Sequence, residues 1–127
     1  RNIAVAGVGL IPEVGGAAAR SLKTAMATGK EGEAAVRAAY DIGEKTKITI
    51  GKNNRIPDGI NTDTQVLSEV KNVGYQGYTS QLRDYTAIAN RDGLQFHLYT
   101  RPNSLLSKPL QDAIQDKSII HRHIPDP

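Results

Sequence analysis

Between residues 45 and 73 the chain carries three strand-like runs, an alternating β-branched one at 45–50, one at 55–60 interrupted by Pro57-Asp58-Gly59, and one at 65–73, separated by two turn-forming clusters, Gly51-Lys-Asn-Asn54 and Asn61-Thr-Asp-Thr64. Short alternating runs with tight turns between them predict an antiparallel meander. If the second turn is centred between Asp63 and Thr64, residues opposed across that hairpin have numbers summing to 127. Asp58 then faces Glu69, with Cβ atoms ~5 Å apart. Lys71 lies two residues beyond Glu69 and so on the same side of its strand. Pro57-Asp58-Gly59 alone is an ordinary turn sequence, and alternating charges on a strand usually face water. The register is what makes the three charges informative, and a bulge at Asp58 would shift it by one and turn that carboxylate away.

The remaining segments read as helices and strands around this meander. Residues 1–29 are rich in Gly and Ala, with Pro12 and Glu13 suited to a helix start, an apolar stripe of Ala17, Ala18, Leu22, Ala25 and Met26, and Gly29 as its stop. A second helix is expected over 30–43, with Val36, Ala39 and Tyr40 on one side, a Glu33–Arg37 surface pair, and Gly43 at its end. Residues 74–78 read as a flexible link. Thr79 or Ser80 caps a helix to about Arg91, whose buried stripe is Leu82, Tyr85, Ile88 and Ala89, closed by Gly93. A strand at 94–101, a turn at Pro102-Asn103, a short helix at 108–115 and a last strand at 118–124 complete the chain. A strand that follows a helix returns as a crossover. The fold class is therefore α/β, with helices flanking one central mixed sheet.

Bulk properties exclude several classes. A length of 127 residues fits one domain. Hydrophobic and charged shares of 39% and 23% are those of an ordinary globular protein, not a disordered or fibrous one. A net charge of +3 permits an anionic partner but falls short of binding nucleic acid by charge alone. With no cysteine, disulfides and thiolate zinc sites are excluded. The apolar opening at 2–12 is too short to span a bilayer and lacks the form of a signal peptide, so no stable membrane insertion is expected. A chain beginning at Arg1 reads as a piece of something longer.

Two acids and a lysine are a minimal set for metal-assisted phosphodiester cleavage. Opposed carboxylates destabilise a sheet unless a cation lies between them. Hard oxygen ligands with open positions suit Mg²⁺ first, with Mn²⁺ or Zn²⁺ as alternatives, and the Val70 carbonyl is a further candidate ligand. Such an ion would hold the phosphate and acidify a bound water. Lys71 would orient or deprotonate that water, or offset the charge of the transition state.

The pattern resembles the PD-(D/E)xK nuclease superfamily, which has the restriction-endonuclease fold. Pro57-Asp58 followed by Glu69-Val70-Lys71 matches its core signature, and Gln81-Leu-Arg-Asp-Tyr85 matches a Gln-x-x-x-Tyr element on the next helix. The runs Arg55-Ile-Pro-Asp-Gly, Glu69-Val-Lys-Asn-Val73, Tyr78-Thr-x-Gln-Leu-Arg-Asp-Tyr85, Leu94-x-Phe-x-Leu98 and Leu106-Ser-x-Pro-Leu110 resemble more narrowly the C-terminal toxin domains of bacterial polymorphic toxins of the contact-dependent-inhibition (CdiA) and Rhs types. This resemblance covers about residues 29–124, and residues 1–29 resemble the pretoxin segment that precedes such domains. It implies a three-layer restriction-endonuclease-like core and a nuclease cutting DNA or tRNA. It also implies secretion or surface delivery within a larger protein, action in the target cell's cytoplasm, and a cognate immunity protein. Among residues, it implies a helix acid at the metal, Glu33 or else Glu31, with Gln81 and Tyr85 in support and Arg55 and Arg83 as phosphate contacts. Two other readings compete. His121 and His123, with His97 elsewhere, could bind zinc, although two histidines make a weak set. A catalytically silent nuclease-fold module would bind nucleic acid or a protein without cutting.

Overall fold

The computed structural model describes residues 17–126, and a four-stranded mixed sheet forms its middle layer. The sheet contains β3 (Gly59–Asn61), β4 (Val66–Lys71), β6 (Gln95–Thr100) and β8 (Ile120–His123), in the spatial order β3-β4-β6-β8. β3 and β4 form an antiparallel hairpin, while β4–β6 and β6–β8 are parallel pairs. Each parallel pair is joined by a helix, α2 (Ser80–Asp92) and then α3 (Lys108–Gln115). The apolar faces of both helices lie over one side of the sheet. Leu67, Phe96 and Leu98 meet Leu82, Tyr85, Ile88 and Ala89 of α2 and Leu110 and Ala113 of α3. The long helix α1 (Ala17–Ala39) covers the other side, where Val36 packs with Ile42, Val70 and Tyr99. Alternation along β4 feeds both cores, since Leu67 points one way and Val70 the other. The result is the expected three-layer α/β core.

The α2 and α3 boundaries follow from local chemistry. The Thr79 hydroxyl caps α2 by accepting from the Leu82 amide, and Gly93 closes it in the left-handed region at φ 72°. The Ser107 hydroxyl accepts from the Leu110 amide at the start of α3, where Pro109 occupies the first turn.

The β3–β4 register pairs Gly59 with Ser68, Ile60 with Leu67 and Asn61 with Val66, so opposed residues do sum to 127. The Asn61 side-chain oxygen fixes the turn by accepting from the Asp63 and Thr64 amides, at 2.9 and 3.1 Å. On the outer edge of β3, residues 41–44 lie close enough to exclude two side chains. A Cβ on Gly43, which sits at φ +82°, would come within 2.0 Å of the Ile60 carbonyl oxygen, and one on Gly59 within 2.3 Å of the Ile42 carbonyl oxygen. The Glu44–Ile60 bridge and the Asn61 side-chain Nδ2 donating to the Asp41 carbonyl at 2.9 Å complete this contact.

Several sequence expectations are corrected. Gly29 does not stop a helix, because α1 runs through it to Ala39. Gly32 of the same helix is buried, and a Cβ there would meet the Asn72 side chain at 2.7 Å. Its lack of a side chain serves close packing, not termination. Gly43 lies beyond the helix end, and Ala39 and Tyr40 are exposed, leaving Val36 as the buried member of that stripe. The first strand is only β1 (Ile48–Ile50). The run at 55–60 is divided, because β2 (Asn53–Arg55) pairs with β1 in a separate hairpin while β3 starts at Gly59. Buried Pro57 and its neighbours break the run between them. The link at 74–78 holds β5 (Tyr75–Gln76), which pairs in parallel with β7 (Leu105–Leu106). The apolar opening and the Pro12–Glu13 helix start lie outside the described residues, as do the side chains of the Ala17–Met26 stripe.

Gly59→Ala should destabilise the fold by about 1–3 kcal/mol or more, because its methyl group strikes backbone that has nowhere to move. Urea unfolding measures this, and an unchanged midpoint would contradict the close approach of residues 41–44 to β3.

Candidate active site

Asp58 is the last residue before β3, and Glu69 and Lys71 lie in the carboxyl-terminal half of β4. The hairpin register carries Asp58 to Glu69, and two hydrogen bonds lock them together. The Asp58 amide donates to Glu69 Oε1 at 3.0 Å, and the Val70 amide donates to Asp58 Oδ2 at 2.8 Å. Lys71 Nζ lies 3.4 Å from Glu69 Oε2 and donates to Gln81 Oε1 at 2.6 Å. Gln81 is in the first turn of α2, so the helix cap at Thr79 also positions the Lys71 ammonium. Tyr85 follows one turn later, fully buried, and its hydroxyl has no hydrogen-bond partner among the described residues.

The electrostatics follow from burial. Glu69 is 5% exposed, and burial followed by the charge of Asp58 pushes its carboxyl up to about 7 despite Lys71 nearby. Burial, then the charges of Glu69 and Asp58, also raise the Tyr85 phenol above its usual value. The two carboxylates crowd one another and present hard oxygens, which fits a divalent cation. Among the described residues, no group of three His, Cys, Asp or Glu side chains converges on one point. A metal held at Asp58 and Glu69 would therefore need backbone or water oxygens to complete its shell. Val70 lies between Glu69 and Lys71, and its amide is already committed to Asp58.

Glu33 reaches the pair indirectly. Lys45 Nζ lies 3.2 Å from Glu33 Oε2 and 3.0 Å from Asp58 Oδ1, joining the two acids. Arg37 bonds Glu33 at 3.1 Å as the i, i+4 pattern expects, and also donates to the carbonyls of Gly43 and Asp58. Burial acts to raise the Glu33 carboxyl, but its bonds to Arg37 and Lys45 hold it below the ordinary carboxylate value. Glu31 is exposed, so of the two helix acids Glu33 is the one tied to the site. Lys45 and the backbone bonds of Arg37 were not identified from the sequence. Lys45 touches acids 12 and 13 residues away, and no local spacing signals that meeting.

The expected phosphate contacts have protein partners. Arg55 is bound to Asp84 of α2 at 2.7 Å, and Asn53 donates to the same carboxylate. Arg83 is exposed, with its guanidinium 4.3 Å from the Tyr78 ring centroid. The histidines form no three-ligand set. His121 and His123 share a face of β8, with rings 5.3 Å apart and His121 bonded to Thr100 at 2.7 Å. His97 pairs with Ile120, which puts it on the opposite face of the sheet.

The buried Glu69 generates a pH signature. Folded protein keeps its proton up to about 7, while the unfolded chain releases it near 4.5. Metal-free stability from this group is therefore greatest below the lower value and is lost as pH rises toward the upper one. Urea unfolding across that window should show a falling contribution that Glu69→Gln removes. A variant profile parallel to wild type would contradict the raised carboxyl.

In comparisons with known proteins, the model of one family, described as restriction endonuclease fold toxin 7, matches residues 29–110, more than half of the chain. No curated protein and no solved structure matched. The match spans Glu33, Lys45, Asp58, Glu69, Lys71, Gln81 and Tyr85, and with the mixed three-layer sheet it settles the lineage: the chain belongs to the restriction-endonuclease-fold toxins, a family of nuclease toxins.

Proposed function

We propose that this toxin is a divalent-metal-dependent endonuclease that hydrolyses phosphodiester bonds of DNA or tRNA in a target bacterium. The observation that supports it most is the Asp58–Glu69 pair, held by reciprocal backbone hydrogen bonds beside a lysine that α2 orients. Asp58 and Glu69, with the Val70 carbonyl, would hold Mg²⁺, or Mn²⁺ or Zn²⁺ in its place. Bound there, the ion would polarise the scissile phosphate and lower the pKa of a water. The protein's own part is to place charges. Lys71, restrained by Gln81, stands beside Glu69 where it can orient the water or offset negative charge on the phosphate. Tyr85 supplies a neutral hydroxyl near the carboxylates, and Glu33 supports them through Lys45. Arg83 on the exposed surface, and Arg55 on exchange from Asp84, would contact the nucleic-acid backbone.

In this reading residues 1–29 are a pretoxin-like lead-in and residues 30–127 the nuclease domain. The domain is delivered as part of a larger secreted or surface protein of the CdiA or Rhs type, acts in the recipient cytoplasm, and is blocked in the producer by a cognate immunity protein. Among the described residues no helix is long and apolar enough to cross a membrane.

Purified chain incubated with plasmid DNA and with total tRNA should cut one of them in Mg²⁺ and not in EDTA. Asp58→Ala and Glu69→Gln should each lower the rate by about 10²-fold or more, the scale of losing transition-state charge stabilisation. Undiminished cleavage by Asp58→Ala would remove this site from the mechanism. Intact binding with no cleavage by wild type would favour the silent module.

A further inference from the structure

Lys45 stands where a second positive charge would be wanted if the carboxylates were to hold a metal. Its ammonium contacts both oxygens of Glu33, at 3.3 and 3.2 Å, and Asp58 Oδ1 at 3.0 Å. It thus bridges acids from two layers, one on α1 and one in the segment entering β3. The acids are well anchored, with side chains 22% and 15% exposed, whereas the lysine side chain is 51% exposed and free to swing into water. Arg37 bonds Glu33 from the other side and binds the Asp58 carbonyl, so each acid's segment keeps a second anchor when the lysine leaves. We infer that Lys45 is a resident counter-cation, a positioning residue that holds Glu33 and Asp58 in the metal-free protein and must be displaced when a divalent ion takes Asp58. This inference rests on the proposed metal site, and it adds a competitor within that site. It also explains why Glu33 sits near the pair without converging on it: the ammonium occupies the gap, and its departure would leave Glu33 turned toward an incoming ion.

Direct competition predicts that removing the ammonium tightens metal binding even as it weakens the metal-free protein. Mn²⁺ binding to the chain, read by isothermal calorimetry and by the loss of the free-ion electron-paramagnetic-resonance signal, separates this from catalysis. Lys45→Met keeps the aliphatic stem and should bind Mn²⁺ roughly two- to fivefold more tightly than wild type, the scale of one released ion pair. It should also unfold at lower temperature without metal and gain more on adding Mn²⁺. Lys47→Met, which removes the same charge from an exposed neighbour, should leave the affinity near wild type. Circular dichroism confirms that each variant is folded. Equal or weaker Mn²⁺ binding by Lys45→Met, or equal tightening by Lys47→Met, overturns the inference while leaving the metal site intact. Failure of wild type and of Lys45→Met to bind Mn²⁺ at all overturns both.

Discussion

The structure depends on one reciprocal contact, in which each acid of a pair is fixed by main chain belonging to the other's segment. Glu69 accepts from the Asp58 amide, and Asp58 accepts from the amide next to Glu69. Charge-assisted bonds of this kind contribute roughly 1.5–3 kcal/mol each in general. They join the segment before β3 to the middle of the sheet without side-chain freedom on the donor side. They also impose a cost, because they hold two carboxylates together under partial burial. The rest of the site offsets that cost with cations placed on both flanks, Lys45 beside Asp58 and Lys71 beside Glu69.

That arrangement requires the chain to leave the sheet where it does. The two cores lie on opposite faces, and a side chain within a strand reaches only one of them. Asp58 sits at the sheet's end, so groups from both layers meet there. Arg37 and, through Lys45, Glu33 come from α1, while Gln81 and Tyr85 come from α2. Pro57 ends the ladder from β2, and Gly59 lets residues 41–44 cover the edge of β3. The interruption that splits the expected strand in two is therefore the feature that gathers the site.

Legibility followed the range of each interaction. The β3–β4 register was readable because Asn61 and its neighbours form a local turn, and a hairpin turn sets the pairing of everything beyond it. The α2 and α3 boundaries were readable because caps act within a few residues. Gly29 and Gly43 misled because a glycine next to an apolar stripe reads as a helix stop whether or not the helix ends there. At Gly43 the need for glycine comes from the close approach of Ile60, whereas at Gly29 a Cβ would meet nothing within 4 Å and α1 simply runs on. The β5–β7 pair was hidden for a related reason, since two-residue strands carry no periodicity and exist through their partner. At the site, Lys45 was the residue that sequence could not reveal, because its role comes from the meeting of α1 with the segment before β3.

The placement of Glu69 has a consequence for folding. A carboxyl pushed up to about 7 by burial and by Asp58 takes stability from the folded chain near neutral pH. Replacing the acid with an apolar residue would remove that loss, and Glu69 shares its face of the sheet with Leu67 and, across the β4–β6 pair, with Leu98 of the core. The chain instead retains an acid with a lysine within 3.4 Å of it. A divalent ion bound to the ionised pair would reverse the sign of that contribution, because binding to the folded state alone adds stability. In that case the carboxylate that takes stability from the metal-free fold near neutral pH would return it to the metal-bound one.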